Sequence, residues 1–262
     1  MGGFAAPGAR AMLLDVSLAE PAAVAPLRDL HRREMNCQIV LDSWLGRRWV
    51  DPYLLRVDDR VVGYGLVGGV RGDPRDTVVE FFVLPDRRGA ALPLFRRVVA
   101  VSRAGRIEVQ TNDTLLTLML FDCATDIRAE AVLFDAGFST RLAVPGAIFR
   151  PATQAEKGTA FPHSSEPVGD WVIEAGGAIV ATGGILFHYN VPFGDIYMEV
   201  AEPHLRRGYG SFLVQELKRT CFEMGRVPAA RCSATNAASR ATLQKAGMMP
   251  CAHVLTGVLP VG

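Results

Sequence analysis

The stretch Val200-Ala-Glu-Pro-His-Leu-Arg-Arg-Gly-Tyr-Gly-Ser211 separates an apolar run, 195–201, from an amphipathic one, 209–224. The first reads as a strand, and the second as a helix stopped by Gly225. Gly208 and Gly210 remove side chains where that helix begins. The backbone N–H groups of Arg206, Arg207, Gly208, Tyr209, Gly210 and Ser211 can then converge on one anion, because the first turn of a helix has no internal acceptors for its amides. The helix dipole adds roughly half a positive charge there, and Arg206 and Arg207 add full ones. The ligand that fits such a turn is a pyrophosphate. Gly-x-Gly alone is weak; a strand, a basic turn, Gly-x-Gly and an amphipathic helix in that order are far more specific.

Working outward, 171–175 and 178–188 read as strands around Gly176–Gly177, 231–233 as another, and 237–246 as a helix stopped by Gly247. The same order stands in the first half. Residues 17–45 read as helical, 53–57 and 61–67 as strands around Asp58–Asp59, and 77–84 as a third strand. A turn at 85–89, a helix over 90–103, a strand over 106–111 and a long helix over 114–135 follow. Val61 matches Ile179 and Pro85 matches Pro203 at an offset of 118, Arg88-Gly89 matches Arg207-Gly208 at 119, and Thr111-Asn112 matches Thr235-Asn236 at 124. So steady an offset predicts two copies of one α/β unit. Pro151, Pro162, Ser164, Ser165 and Pro167 mark the joint, which places the domains at 1–148 and 149–262.

The glycine turn resembles the coenzyme A pyrophosphate loop of the GCN5-related N-acetyltransferase (GNAT) family, whose pattern is Gln/Arg-x-x-Gly-x-Gly/Ala. Gly208 and Gly210 match, while Leu205 stands where the family prefers Gln or Arg. Asn236-Ala-Ala-Ser239, followed by Ala246-Gly247-Met248, resembles a second family element. The resemblance covers about residues 165–258 and implies an α/β fold of two tandem GNAT-like units, each a mixed, mostly antiparallel twisted sheet flanked by helices. It implies acetyl-CoA as co-substrate, bound by Val200, Ala201, the 206–211 turn, Asn236 on the pantetheine arm and Ser239 near the phosphates. Leu243 occupies the position of a tyrosine that protonates the departing thiolate, and leucine has no proton to give. The first copy carries only Gly89, Ala91 and Asn112, with Pro93 close behind, and is expected to be degenerate.

Acyl transfer to an amine needs a base near the thioester. Glu199, in the apolar run 196–200, is the first candidate, and His188 at the end of the preceding strand is the second. Asp195 is a third, with turn capping as its plainer role. In the family a bulge often re-aims a residue at this point of the strand, so alternation does not settle where Glu199 faces. Phe81 is taken as its counterpart in the first copy.

Composition bounds the rest. A formal net charge of +1 gives no electrostatic case for nucleic acid or an anionic membrane. Five scattered cysteines without C-x-x-C suggest buried free thiols, with neither a zinc site nor a redox pair. With no secretory core near the start and no bilayer-length apolar run, a cytoplasmic protein is expected. The expected activity is N-acylation of a small amine or peptide amino group without a metal. A coenzyme-binding module without catalysis is the alternative, and a homodimer is left open.

Overall fold

A computed structural model describes residues 12–35, 37–39, 41–69, 74–157 and 169–260. The chain opens with β1 (Leu14–Leu18), α1 (Pro21–Glu34) and the short α2 (Asp42–Gly46). A first run follows: β2 (Val50–Val57), β3 (Arg60–Gly68), β4 (Thr77–Val83), a 3-10 turn (Pro85–Ala90), α3 (Ala91–Ser102), β5 (Arg106–Gln110), α4 (Thr114–Cys123) and β6 (Thr125–Asp135). After β7 (Ala147–Pro151) the run repeats: β8 (Trp171–Ala175), β9 (Ala178–Leu186), β10 (Phe193–Val200), a 3-10 turn (Glu202–His204), α5 (Tyr209–Glu223), β11 (Val227–Ser233), α6 (Ala237–Lys245) and β12 (Met249–Val258). The fold is α/β, with helices flanking a mixed sheet.

The hairpins form where the sequence predicts them. Asp58 and Asp59 both have positive φ, as do Gly176 and Gly177. Two successive left-handed residues make the tight turn whose twist matches that of the flanking strands. Counterparts in the two hairpins are therefore 118 residues apart, the spacing read from the sequence.

All twelve strands join one sheet in the order β1-β2-β3-β4-β5-β12-β6-β11-β10-β9-β8-β7. The last strand of each run crosses over. β12 pairs antiparallel with β5, and β6 pairs antiparallel with β11, while β6 and β12 pair with each other. The boundary at 148/149 thus falls inside β7, and each run completes its sheet with a strand of the other. Beneath the first run, Leu94, Phe95, Val98, Leu115, Leu116 and Leu120 of α3 and α4 pack on Phe81, Ile107 and Val109. Beneath the second, Leu213, Val214, Leu217 and Cys221 of α5 pack on Val132, Phe134, Ile196 and Ala230. Removing one such leucine to alanine costs about 2–5 kcal/mol.

Several sequence expectations are corrected. Residues 17–45 are not one helical stretch, because β1 pairs with β2 through Leu18↔Tyr53 and α1 ends at Met35 with extended backbone. Pro21 stands at the start of α1, where its missing N–H costs nothing. The helix expected over 114–135 stops at Cys123, where Ala124 is extended, and β6 follows. Local preference loses there to the open place between β11 and β12. The capping geometry moves one match: Asp113 caps α4 through Leu116 N–H, as Asn236 caps α6 through Ser239 N–H, an offset of 123. Asn112 is therefore not the counterpart of Asn236. Register moves another. Thr182 lies opposite Glu199, and Tyr64 opposite Phe82, so Phe82 is the counterpart of Glu199 in place of Phe81. The reason is a bulge at Val79, which lies between Val78↔Val67 and Glu80↔Leu66. Of the cysteines, Cys37, Cys221 and Cys232 are buried, but Cys123 is half-buried and Cys251 exposed. The linker residues Pro162, Ser164, Ser165 and Pro167 lie outside the described residues.

Candidate active site

β10 and β11 run parallel and pair only through Phe193–Asp195 against Val227–Ala229. Beyond Asp195 they part, since β11 turns to β6 from Ala230 on while β10 stays on β9 to Val200. The edge of β10 that faces β11 is left open over 196–200. A cleft of about 710 Å³ occupies this splay, walled by Met198, Glu199 and Val200 of β10, by the turn into α5, and by α6.

The turn has the form its glycines predict. Gly208 has φ +90°, the left-handed region that costs an L side chain but not glycine. A Cβ added at Gly208 would meet only Val144. The first intrahelical bond runs from Phe212 N–H to the Gly208 carbonyl, and no side chain caps the helix. The amides of Tyr209, Gly210 and Ser211 therefore have no acceptor within the helix. Gly210 answers a different need: a Cβ there would lie 3.1 Å from Thr242 Cγ2 and 3.3 Å from Val200 Cγ2, so its absence lets α5, α6 and β10 meet. Arg206, also left-handed at φ +60°, is exposed on the cleft wall. Arg207 is exposed but off the cleft, and Ala201 is tied to β9 by its N–H on the Val180 carbonyl.

α5 is anchored from behind. Gln215 accepts from Thr140 Oγ1 and Leu142 N–H and donates to the Leu142 carbonyl. One turn on, Lys218 Nζ donates to the carbonyls of Phe138 and Ala246, at 2.8 and 3.0 Å. Burial lowers the Lys218 ammonium from its usual range, with Asp135 opposing the shift. Opposite α5, α6 presents Ala238, Ser239, Thr242 and Lys245 to the cleft, and Asn236 sits at its mouth. The cations Arg206 and Lys245 and the carboxylate Glu199 thus wall one cleft.

The register across β9 and β10 is unbroken from Asp195 to Val200. Met198 and Val200 join the apolar layer around α5, so Glu199 points to the opposite face. No bulge re-aims it. Opposite Glu199, the fully buried Thr182 has a hydroxyl without a partner. His188 is not brought to the cleft. Its Nε2 lies 3.0 Å from the buried Asp195 carboxylate. Asp195 is four residues from Glu199, roughly 13 Å of strand. Leu243 is buried in the core. His204 and Tyr209, which the sequence reading did not single out as side chains, both line the cleft with ring centroids 6.1 Å apart. Only their closeness to the glycine turn could have drawn attention to them.

The first run lacks this opening. The capping match puts Leu115, Leu116 and Met119 where α6 has Ala238, Ser239 and Thr242, and all three are buried in the core. Among the described residues no group of His, Cys, Asp and Glu could hold a metal ion, and no helix is long and apolar enough to cross a membrane.

Comparison with known proteins agrees with this geometry. No curated protein matches the chain. Residues 143–248 match the model of the acetyltransferase (GNAT) family. An acetyltransferase from the GNAT family of Colwellia psychrerythraea superposes with a TM-score of 0.73 at 13% identity, over 94% of this chain and 100% of that one. A GCN5-related N-acetyltransferase from Sphaerobacter thermophilus gives 0.57 at 18% identity, over 94% and 96%. A tandem GNAT protein from the clavulanic acid biosynthesis pathway gives 0.58 at 13% identity, over 94% and 98%. Residues 143–248 thus resemble a GNAT-family acetyltransferase domain, and the chain as a whole has the fold of GNAT proteins.

Proposed function

We propose that the chain is an acetyl-CoA-dependent N-acyltransferase acting on a small amine or a peptide amino group, with one working site in the second run. The observation that carries this reading is the uncapped start of α5, whose free amides and left-handed Gly208 face a cleft long enough for an extended ligand. The pyrophosphate would rest on the amides of 206–211, with Arg206 beside it. The pantetheine arm would lie along the open edge of β10 near Asn236. Asn236 Oδ1 already accepts Ser239 N–H, so its Nδ2 is the group left to donate.

Glu199 is the proposed base. It lines the cleft and faces away from the apolar layer, the side from which an amine can approach the thioester. The amine nitrogen attacks the carbonyl carbon, the C–N bond forms, and the amine proton passes to Glu199 directly or through one water. The C–S bond then breaks and its electron pair stays on sulfur. Leu243 supplies no proton, so sulfur departs as the thiolate. Because the first run fills its equivalent place with Leu115, Leu116 and Met119, it is proposed as a degenerate unit that supports the second.

Leu243 also favours a second reading, a module that holds coenzyme A without transfer. Calorimetry with acetyl-CoA, followed by single-turnover transfer to a panel of amines, separates the two. Binding with product on at least one acceptor supports the enzyme. Binding without transfer to any acceptor supports the module, and no binding removes both.

A further inference from the structure

The two runs differ along the outer side of α3 and α5. These helices match at an offset of 119, since Ala91, Leu94, Phe95 and Val98 are buried where Gly210, Leu213, Val214 and Leu217 are. In the second run the chain after β6 straps α5. The Phe138 carbonyl accepts from Lys218, Leu142 bonds Gln215 through both of its main-chain groups, and Val144 reaches the place where a Cβ of Gly208 would stand. From Gly208 to Lys218 the helix rises about 15 Å. The step from Phe138 to Val144 spans about 20 Å at full extension. The strap is therefore a largely extended peptide that runs antiparallel to α5. It buries Gln215 and Lys218 and leaves a hollow of about 40 Å³ beside them.

In the first run the same place is an open groove of about 750 Å³. Its floor is apolar: Phe95, Ala104 and Leu259 are buried, and Val99 is half-buried. Among the described residues nothing takes the place of the strap. The side chains that would grip one have also changed. At the offset of 119, Arg96 stands for Gln215, Val99 for Lys218 and Arg103 for Phe222. Gln215 accepts as well as donates, whereas a guanidinium only donates. Arg96 and Arg103 are exposed on the groove wall, and among the described residues neither forms a hydrogen bond or an ion pair. Seven residues apart, they share one side of the helix at a separation of about 10 Å. α4 adds one carboxylate, Asp122, likewise unpaired among the described residues, so positive charge is in excess.

We propose that this groove docks a largely extended peptide segment of a partner protein, one that carries two carboxylates three residues apart with apolar residues between them. In an extended chain with three residues per turn such side chains share a side and lie about 9 Å apart, which matches the spacing of the two arginines. The carboxylates pair with Arg96 and Arg103, and the apolar side chains between them cover Val99 and Phe95. Asp122 can accept a main-chain N–H of the segment. The strap on α5 is the same mode of packing, realised within the chain. The groove shares no residue with the coenzyme cleft and does not depend on that assignment.

Calorimetry on the full chain tests the groove with the end-blocked peptide Ala-Glu-Leu-Val-Glu-Ala, its counterpart with Gln for both Glu, and octanoate. The Glu peptide should bind, and more weakly as salt rises. Arg96→Gln and Arg103→Gln should each weaken it about fivefold, the upper range for an exposed ion pair. The Gln peptide, which loses both pairs, should bind the unsubstituted chain at least about tenfold more weakly than the Glu peptide. Ala100→Trp places an indole at an exposed position of the wall and should abolish binding. All three substituted positions are exposed, so each variant should keep the unfolding midpoint and the acetyl-CoA affinity of the unsubstituted chain. Absence of binding by the Glu peptide, equal affinity of the Glu and Gln peptides, or unchanged affinity in the two arginine variants or in Ala100→Trp overturns the proposal. So does octanoate that binds the groove where the peptide does not, which would assign it to an apolar monocarboxylate.

Discussion

Two residues bear most of the functional reading. Gly208 combines a left-handed backbone with open space in front of it. Gly208→Glu adds both strain and a carboxylate where phosphate is proposed to sit. Acetyl-CoA affinity measured by calorimetry should fall at least about a hundredfold, or about 3 kcal/mol, and unchanged affinity would remove the phosphate site. Glu199→Gln keeps shape and loses the base. Turnover at neutral pH should drop about 10²–10⁴-fold, with coenzyme affinity near that of the unsubstituted chain. A variant at full rate would shift the role to another group, and the distant, ion-paired His188 would then have to reach the cleft by a rearrangement that could be sought crystallographically.

At the scale of elements, α1 and β4 are held together by charge as much as by apolar contact. Glu80 is buried, and burial alone would raise its carboxyl. Hydrogen bonds and charge from Arg28, helped by His31 and Tyr64, overcome that and leave it below its ordinary value of 4.5. A lowered carboxyl stabilises the fold above that ordinary value, and its contribution is lost as pH falls through the folded one. Arg28→Met strands a buried carboxylate, so it should cost about 3–5 kcal/mol in urea unfolding at neutral pH. The cost should shrink in mild acid, because an unpartnered buried Glu80 takes up a proton more readily. A penalty that stays constant between neutral and acidic pH would show that packing, and not charge, is what Arg28 contributes.

At the scale of the whole molecule, the crossing of β6 and β12 is decisive. β11 loses its β6 neighbour if the chain is cut at 148/149, and β5 loses β12 if the second piece is removed. Residues 149–262 expressed alone should not unfold cooperatively. The intact chain should show one transition, with Trp44 and Trp49 in the first half and Trp171 in the second reporting the same midpoint by fluorescence of single-tryptophan variants. Separate midpoints would mean that the halves are independent despite the shared strands.

The sequence by itself determined what depends on near neighbours along the chain. The Asp58–Asp59 and Gly176–Gly177 hairpins, the stop of α5 at Gly225, the uncapped start of α5 and the spacing of the repeated elements all follow from backbone preference and local hydrogen bonding. Only the tertiary structure decided what depends on distant partners. It made a strand of β6, whose alanines and glutamate suit a helix equally, because a place in the sheet was open to it. It moved the counterpart of Glu199 to Phe82 through a bulge visible only in the pairing of β3 with β4. It separated His188 from Glu199, since nearness in sequence sets distance along a strand but not which cleft a side chain reaches. It brought Arg28 and His31 of α1, Glu80 of β4 and Asp113 at the cap of α4 into one buried chain, a meeting that no local pattern encodes.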